Sequence, residues 1–210
     1  MSVCAVFFGG FQATQEQVNR WREGARKLKP GIEFVVRPWP SGAWTNSAGA
    51  AGVSAFKQTG EFDSLVAALK ASTANKIYIV GHSSGCAIAN AVDKEITKSL
   101  TDKSKFVLVS LDGFRPDADQ LKRDNTQVWG AVFGVHKSYH YPDDDEKRQL
   151  GKKFKEHTAN ANCTGAFALH FSLVNTAVTN KTGNIKDGYG ETECQANLKW
   201  VDEDLKLTTP

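Results

Sequence analysis

The 210-residue sequence predicts an α/β fold, in which a doubly wound, mostly parallel sheet has helices on both faces. Several short runs are apolar at every position instead of alternating with polar residues, as expected for strands that are covered on both sides. Helical patterns lie between successive runs, which fits parallel strands joined by right-handed crossovers. Because 40% of the residues are apolar, the chain can bury a sizeable core, and its length fits a single domain over residues 1–210.

Turn and capping residues mark the ends of the first predicted strands and helix. A strand is predicted over Val3–Phe8 and ends at Gly9-Gly10. Thr14 then opens a helix, and Gln17 three residues later completes a capping-box pattern. A second strand is predicted over 32–36, and the Gly-, Ala- and Ser-rich residues 41–60 are predicted to form a long loop. Loops of this length in compact domains are usually functional or mobile.

The remaining elements follow the same alternation of strands and helices. Strands are predicted over 77–80, 106–109 and 128–135, and helices over 62–69 and 86–100. Residues 143–158 are mostly charged, with Leu150, Phe154 and His157 at helical spacing. This segment predicts a solvated helix with a narrow buried face, and a flap over a cleft is the alternative.

Charge and hydropathy exclude several classes of partner. The 26 basic and 23 acidic residues give a net charge of +3 that is spread along the chain, so nucleic acid is not an expected partner. No apolar run reaches the roughly 18 residues of a transmembrane segment. The N-terminal residues lack the pattern of a signal peptide, so a cytoplasmic location is expected, with signal-independent secretion as the alternative. The oligomeric state is left open.

The four cysteines are isolated from one another in the sequence. Their positions, 4, 86, 163 and 194, contain no CxxC pair, which excludes a zinc ribbon or a thioredoxin-type site. Cys163 and Cys194 both lie in polar C-terminal stretches and could meet. In the absence of an export signal, we expect them to be free thiols.

One motif carries a chemical prediction. Gly81-His82-Ser83-Ser84-Gly85 lies between the third predicted strand and the following helix, and it matches the G-x-S-x-G nucleophile elbow. A sharp turn there strains the serine, and the flanking glycines let the chain approach itself closely. Amides at the start of the helix would face a developing oxyanion. Ser83 is therefore the predicted nucleophile, and a tight turn with an incidental serine is the alternative.

On this motif and its placement, the chain resembles the α/β-hydrolase superfamily, in particular the small lipases and esterases with little or no lid. The resemblance extends from the first strand to His170. It implies an oxyanion hole formed by the amide of Ser84 and by one from the turn after the first strand, with Phe11 preferred and Gly10 second. Family enzymes often have His-Gly-aromatic in that turn, whereas this chain has Gly9 at the position of the histidine. A glycine pair that simply ends a strand is the alternative.

The superfamily's chain order of serine, acid and histidine selects the candidate acid. Asp112 follows the fourth predicted strand in a segment similar to the Leu-Asp-Pro of pancreatic-type lipases, and it is the preferred acid. Other members take the acid from one strand later, which here would be Asp143, Asp144 or Asp145, and Asp117 is a further option. An Asp-Gly turn without catalytic role is the plain alternative.

Among five histidines, His170 is the predicted base, because it follows the serine and the acid in the required order. His82 lies within the elbow and is expected to pack. His136 and His140 lie near each other on a loop that could bind a metal, although their spacing does not require one. His157 is expected at the end of the charged helix, where a cationic side chain suits the helix dipole.

These residues predict a lipase- or esterase-like hydrolase that acts through Ser83, His170 and Asp112 and forms an acyl-enzyme. The expected substrate is a small-molecule or lipid ester, with Phe11 and Trp44 as candidate substrate-binding residues and no cofactor or metal. Two alternatives stay open: a non-catalytic small-molecule- or lipid-binding protein on the same fold, and a thioesterase or amidase variant.

Overall fold

A computed structural model describes residues 2–11, 13–28, 30–37, 48–133, 136–138, 140–158, 170 and 173–174. Trp44, Cys163 and Cys194 lie outside these ranges, and the single-domain organisation stays a prediction. The described strands are β1 (Val3–Phe8), β2 (Ile32–Arg37), β3 (Lys76–His82), β4 (Phe106–Leu111), β5 (Thr126–Phe133), β6 (His136–Lys137) and β7 (Phe154–Thr158). The described helices are α1 (Gln15–Leu28), α2 (Ala48–Gln58), α3 (Glu61–Ala71), α4 (Gly85–Thr97), α5 (Ala118–Leu121) and α6 (Asp144–Leu150).

The strands form one sheet, which confirms the predicted fold class. Six of them are parallel, in the order β2-β1-β3-β4-β5-β7. The two-residue β6 pairs antiparallel with the end of β5. The order reverses between β1 and β3, because β2 lies on the far side of β1. In open α/β sheets, ligands bind at the carboxyl ends of the strands beside such a reversal.

Helices cover the two faces of the sheet and bury its apolar side chains. On one face, Trp21 of α1 stacks on Phe7 of β1 with 4.3 Å between the ring centroids. On the other face, α2, α3 and α4 bury residues such as Phe56, Leu65 and Ile88 against β1, β3 and β4. The helix α1 begins as predicted, since Thr14 and Gln17 each accept a hydrogen bond from the other's backbone N–H at 3.2 and 2.9 Å.

Part of the predicted loop 41–60 is helical, so that prediction is wrong for residues 48–58. Alanine is the best helix former, and four alanines in α2 compensate for its two glycines. Phe56 anchors the helix in the core with 3% of its surface exposed. At the other end, Gly49 approaches the ring of Phe114 closely. Residues 41–47 lie outside the described ranges.

The charged segment 143–158 is not one continuous helix, so that prediction is also wrong. The helix α6 ends at Leu150, and Gly151 follows with φ +54°, a left-handed conformation that favours glycine. A single 3₁₀ turn then leads into β7, which pairs in parallel with β5 from Val128↔Phe154 onward. His157 is therefore buried in a strand instead of ending a helix, and residues 154–158 belong to the sheet instead of a flap. No helix within the described ranges is both long and apolar enough to cross a bilayer.

Candidate active site

Ser83 occupies a strained turn between β3 and α4. Its φ is +54°, a left-handed conformation that costs an L-residue roughly 1–2 kcal/mol. The turn is held by the Ser83 N–H, which donates to the carbonyl of Leu111 at 3.0 Å, and by the Cys86 N–H, which donates to the carbonyl of Ser83 at 3.1 Å. The local conformation is thus the strained one that the motif predicts.

The glycines of the motif allow close backbone approaches on both sides of Ser83. A Cβ atom at Gly85 would lie 2.2 Å from the carbonyl oxygen of Phe8 and 2.4 Å from that of Gly9. A Cβ atom at Gly81 would lie 2.5 Å from the Cα atom of Cys86. The start of α4 therefore packs directly against the end of β1, which leads into the turn that contains Gly10 and Phe11.

Asp112 and His170 meet although 58 positions separate them in the sequence. Asp112 follows β4 directly, has a φ of +49°, and is buried with a fully inaccessible side chain. Its Oδ2 lies 2.6 Å from Nδ1 of His170, whose side chain is 11% exposed. Because a carboxylate oxygen accepts hydrogen bonds, Nδ1 of His170 is the donor in this contact.

The second carboxylate oxygen of Asp112 has two further donors. The hydroxyl of Ser138 donates to Oδ1 at 2.5 Å, and the N–H of Ala131 lies 3.4 Å from the same oxygen. Ser138 follows β6 and is itself buried. Ser138 is not predictable from the sequence, because a serine after a two-residue strand has no local pattern that distinguishes it.

The other candidate acids have surface roles. Asp143 caps α6 by accepting the N–H of Glu146 at 2.8 Å, and Asp144 and Asp145 are exposed. Asp117 caps α5 and forms a 2.7 Å ion pair with Lys94. The aspartate that contacts His170 is the one expected from the lipase-like segment.

Two further histidines lie close to His170. His82 is fully buried, its Nε2 is 3.0 Å from the carbonyl oxygen of His170, and the two ring centroids are 4.4 Å apart. The pKa of His82 is lowered well below its ordinary value, mainly by burial and to a smaller extent by the electrostatic effect of the nearby His170. A neutral His82 can donate its Nε2–H to this carbonyl and anchor the backbone of His170.

His140 packs between Phe114 and His170, with ring-centroid distances of 6.1 and 5.9 Å. The pKa of His140 is lowered from 6.5 to about 4, mainly by burial and to a smaller extent by the electrostatic effect of the nearby His170. The ring is therefore neutral at pH 7. In the described part of the chain, no group of three or more His, Cys, Asp or Glu side chains is arranged to hold a metal ion.

Cys86 lies directly behind the elbow but is poorly suited to be a nucleophile. It is a buried free thiol, as is Cys4, and its Sγ is 3.6 Å from the carbonyl of Leu111. Burial raises the pKa of Cys86 to about 12. Since the thiolate is the reactive form, this thiol is inert at neutral pH.

The sheet order and the strained turn meet at the same place in the fold. A parallel sheet reverses its strand order beside β3, and a strained serine flanked by glycines joins β3 to α4. The protein has an α/β fold whose sheet order and turn resemble those of α/β-hydrolases. In this fold, the carboxyl ends of β1, β3 and β4 carry the Gly10-Phe11 turn, Ser83 and Asp112, respectively.

Comparisons with known proteins find distant similarities. No family model and no curated protein matches the chain. A predicted CIB-like hydrolase from Thermoplasma acidophilum is 16% identical with a TM-score of 0.45, and the match covers 74% of this chain and 73% of that one. An extracellular α/β-hydrolase from a Paenibacillus species, described as sharing structural and functional homology with tobacco salicylic acid binding protein 2, is 20% identical with a TM-score of 0.32. That match covers 56% of this chain and 46% of the other.

Proposed function

We propose that the protein is a serine hydrolase that cleaves carboxylic esters, with Ser83 as nucleophile, His170 as base and Asp112 as the acid that orients the base. The observation that carries the proposal is the buried 2.6 Å hydrogen bond between Asp112 and His170. The chain next to the strained Ser83 reaches this pair, since the ring of His82 is tilted against that of His170 with 4.4 Å between the ring centroids. A serine on such a turn, followed by an acid and a histidine in this order, is the arrangement of an esterase of this fold.

The protonation pattern of His170 suits it to the role of base. Since Nδ1–H donates to Asp112, Nε2 is the ring nitrogen that accepts the Ser83 proton as Oγ attacks the ester carbonyl carbon. The resulting imidazolium is stabilised by the Asp112 carboxylate and gives its proton to the departing alcohol. The acyl-enzyme is then hydrolysed by a water molecule that His170 deprotonates in the same way.

The negative charge on the carbonyl oxygen would be stabilised by backbone amides. We assign this role to the N–H of Ser84, at the start of α4, and to the N–H of Phe11, with Gly10 as the alternative. The packing of Gly85 against the end of β1 supports this pairing, since it brings the two backbone segments together. Each such donor is worth about 10²- to 10³-fold in kcat.

The substrate is proposed to be a small-molecule or lipid ester. Phe11 is half-buried in the turn beside the elbow, and we propose that it contacts the acyl group. Trp44 is proposed as a second contact on the basis of the sequence. The acyl transfer described here needs neither a cofactor nor a metal ion.

Active-site labelling with a fluorophosphonate tests the assignment without knowledge of the substrate. Labelling requires an activated serine, so we expect an adduct on Ser83 that is abolished in both Ser83→Ala and His170→Ala. The two losses should not add, because either one disables the same step. Ser110→Ala is the matched control: it also removes a buried serine hydroxyl, one that donates to the carbonyl of Phe114 at 3.0 Å, and should label normally.

Peptide mapping and a substrate panel decide among the outcomes. An adduct on Ser84, or no adduct on the folded protein, would refute the hydrolase proposal. Persistent labelling in His170→Ala that disappears in His140→Ala would instead reassign the base. Rates on matched series of esters, thioesters and amides then separate an esterase from the thioesterase and amidase alternatives.

A further inference from the structure

The carboxylate of Asp112 is fixed by more than its contact with His170. Both of its oxygens are hydrogen-bonded: Oδ2 to His170, and Oδ1 to the Ser138 hydroxyl at 2.5 Å and the Ala131 N–H at 3.4 Å. The shorter of the two contacts at Oδ1 is that of Ser138. A buried carboxylate stays ionised only when such donors replace the water that it has lost.

Ser138 is held in place by the hairpin that β5 and β6 form. Its N–H donates to the carbonyl of Ala131 at 3.0 Å, and its own carbonyl accepts the N–H of Tyr141 at 3.2 Å. The N–H of Ala131 faces Asp112 while its C=O faces Ser138, so this edge of β5 joins the two side chains. Ser138 is 6% exposed, which protects its hydroxyl contact from competing water.

We infer that Ser138 is a positioning residue that acts through Asp112, holding its carboxylate in the orientation in which Oδ2 meets Nδ1 of His170. The effect of Ser138 on the reaction rate rests on the proposed function, whereas its effect on the orientation of Asp112 does not. The hydroxyl proton lies between Oγ and Oδ1 and is not transferred during the reaction. Loss of the hydroxyl frees the carboxylate to rotate away from His170, so the base is less often correctly oriented.

The kinetic test compares Ser138→Ala with two other variants on a chromogenic ester. A hydrogen bond to a charged group corresponds to about a 10- to 100-fold effect, and we expect Ser138→Ala to lower kcat by this factor with little change in KM. Ser138→Thr keeps the hydroxyl and should restore most of the rate. Ser110→Ala removes a buried hydroxyl from β4, the strand that leads into Asp112; this hydroxyl donates to the carbonyl of Phe114 instead of the carboxylate, and the variant should retain the wild-type kcat.

A second measurement reports on the hydrogen bond itself and does not depend on catalysis. A short Asp–His hydrogen bond gives a proton resonance far downfield of the amide region, and its loss in His170→Ala assigns it. We expect Ser138→Ala to shift or broaden this resonance, whereas Ser110→Ala should leave it unchanged. If Ser138→Ala does not fold, Ser138→Cys replaces the hydroxyl by a much weaker donor and should give the same changes.

The outcomes separate this inference from the proposed function. Wild-type kcat and an unchanged resonance in Ser138→Ala would overturn the positioning role, as would equal losses in Ser138→Ala and Ser110→Ala. If the wild-type protein hydrolyses no ester and is not labelled, but the resonance still responds to Ser138→Ala, the hydrolase proposal fails and the positioning of Asp112 stands.

Discussion

Replacement of Asp112 by asparagine should disable the proposed base without disturbing the fold. Asparagine has the same shape, and its carbonyl oxygen can accept the two donors, Ser138 and Ala131, that surround Oδ1. Its NH₂ group must then face His170, where it donates to Nδ1. The imidazole is thereby forced to carry its proton on Nε2, so it cannot accept a proton from Ser83.

The size of the effect follows from the contacts that change. The variant loses a charge-assisted hydrogen bond to the imidazolium, worth about 1.5–3 kcal/mol. Before His170 can act as a base, its proton must also move from Nε2 to Nδ1. The buried NH₂ group of the introduced asparagine then has no acceptor, which costs about 1–3 kcal/mol more. Together these correspond to a decrease of about 10²- to 10⁴-fold, whose upper end matches the precedent of the corresponding change in a serine protease.

The rate constant for fluorophosphonate labelling is the suitable assay, with folding checked by the urea midpoint. Asp143→Asn is the matched control, since it makes the same chemical change at a helix N-cap, where asparagine is also favourable. Asp112→Asn should label far more slowly at an unchanged urea midpoint. A labelling rate within tenfold of wild type in Asp112→Asn, with loss of labelling in a variant at positions 143–145, would refute the reasoning.

Three further predictions concern stability. Gly85→Ala should destabilise by about 3 kcal/mol or more in urea unfolding, because its Cβ would meet backbone atoms on β1, whereas Gly31→Ala, with nothing within 4 Å, should stay within about 1 kcal/mol of wild type. The pKa of His140 is lowered from 6.5 to about 4, so this side chain binds fewer protons in the folded than in the unfolded state. The free energy of unfolding should therefore fall as the pH is lowered from 6.5 towards 4, and His140→Gln should reduce this pH dependence in urea titrations. Arg123→Met should cost about 3–5 kcal/mol in the same assay, because it leaves the inaccessible Asp93 carboxylate without its 2.8 Å ion pair; a loss below 1 kcal/mol would contradict this.

The parts of the molecule that the sequence predicts well are those with strong local signals. The strands β1 and β4 are apolar at nearly every position and β3 is apolar over 77–80, and the elbow combines glycine spacing with a strand before it and a helix after it. The contact between Asp112 and His170 was expected from chain order through the family resemblance. No periodicity indicates it, because the two residues are far apart in the sequence.

The wrong predictions have a common physical cause: tertiary packing decided between two weak local preferences. The segment containing Phe154 and His157 has helical spacing and is rich in charge, yet an open edge of β5 accepts it as a strand. Gly151 was the available signal, since a glycine within a charged helical pattern often ends the helix. Similarly, Ser138 and His140 reach the site through a hairpin whose closure depends on β5, and no local pattern records that contact.

Two neighbouring strands end in residues with left-handed backbone, Ser83 after β3 and Asp112 after β4. Aspartate tolerates this conformation better than serine does, so the larger energetic burden falls on the proposed nucleophile. Glycine at position 83 would relieve the strain, so Ser83→Gly should raise the melting temperature while removing the hydroxyl of the proposed nucleophile. Selection for thermal resistance alone would therefore favour glycine at this turn, whereas the chain has the strained serine of the proposed nucleophile.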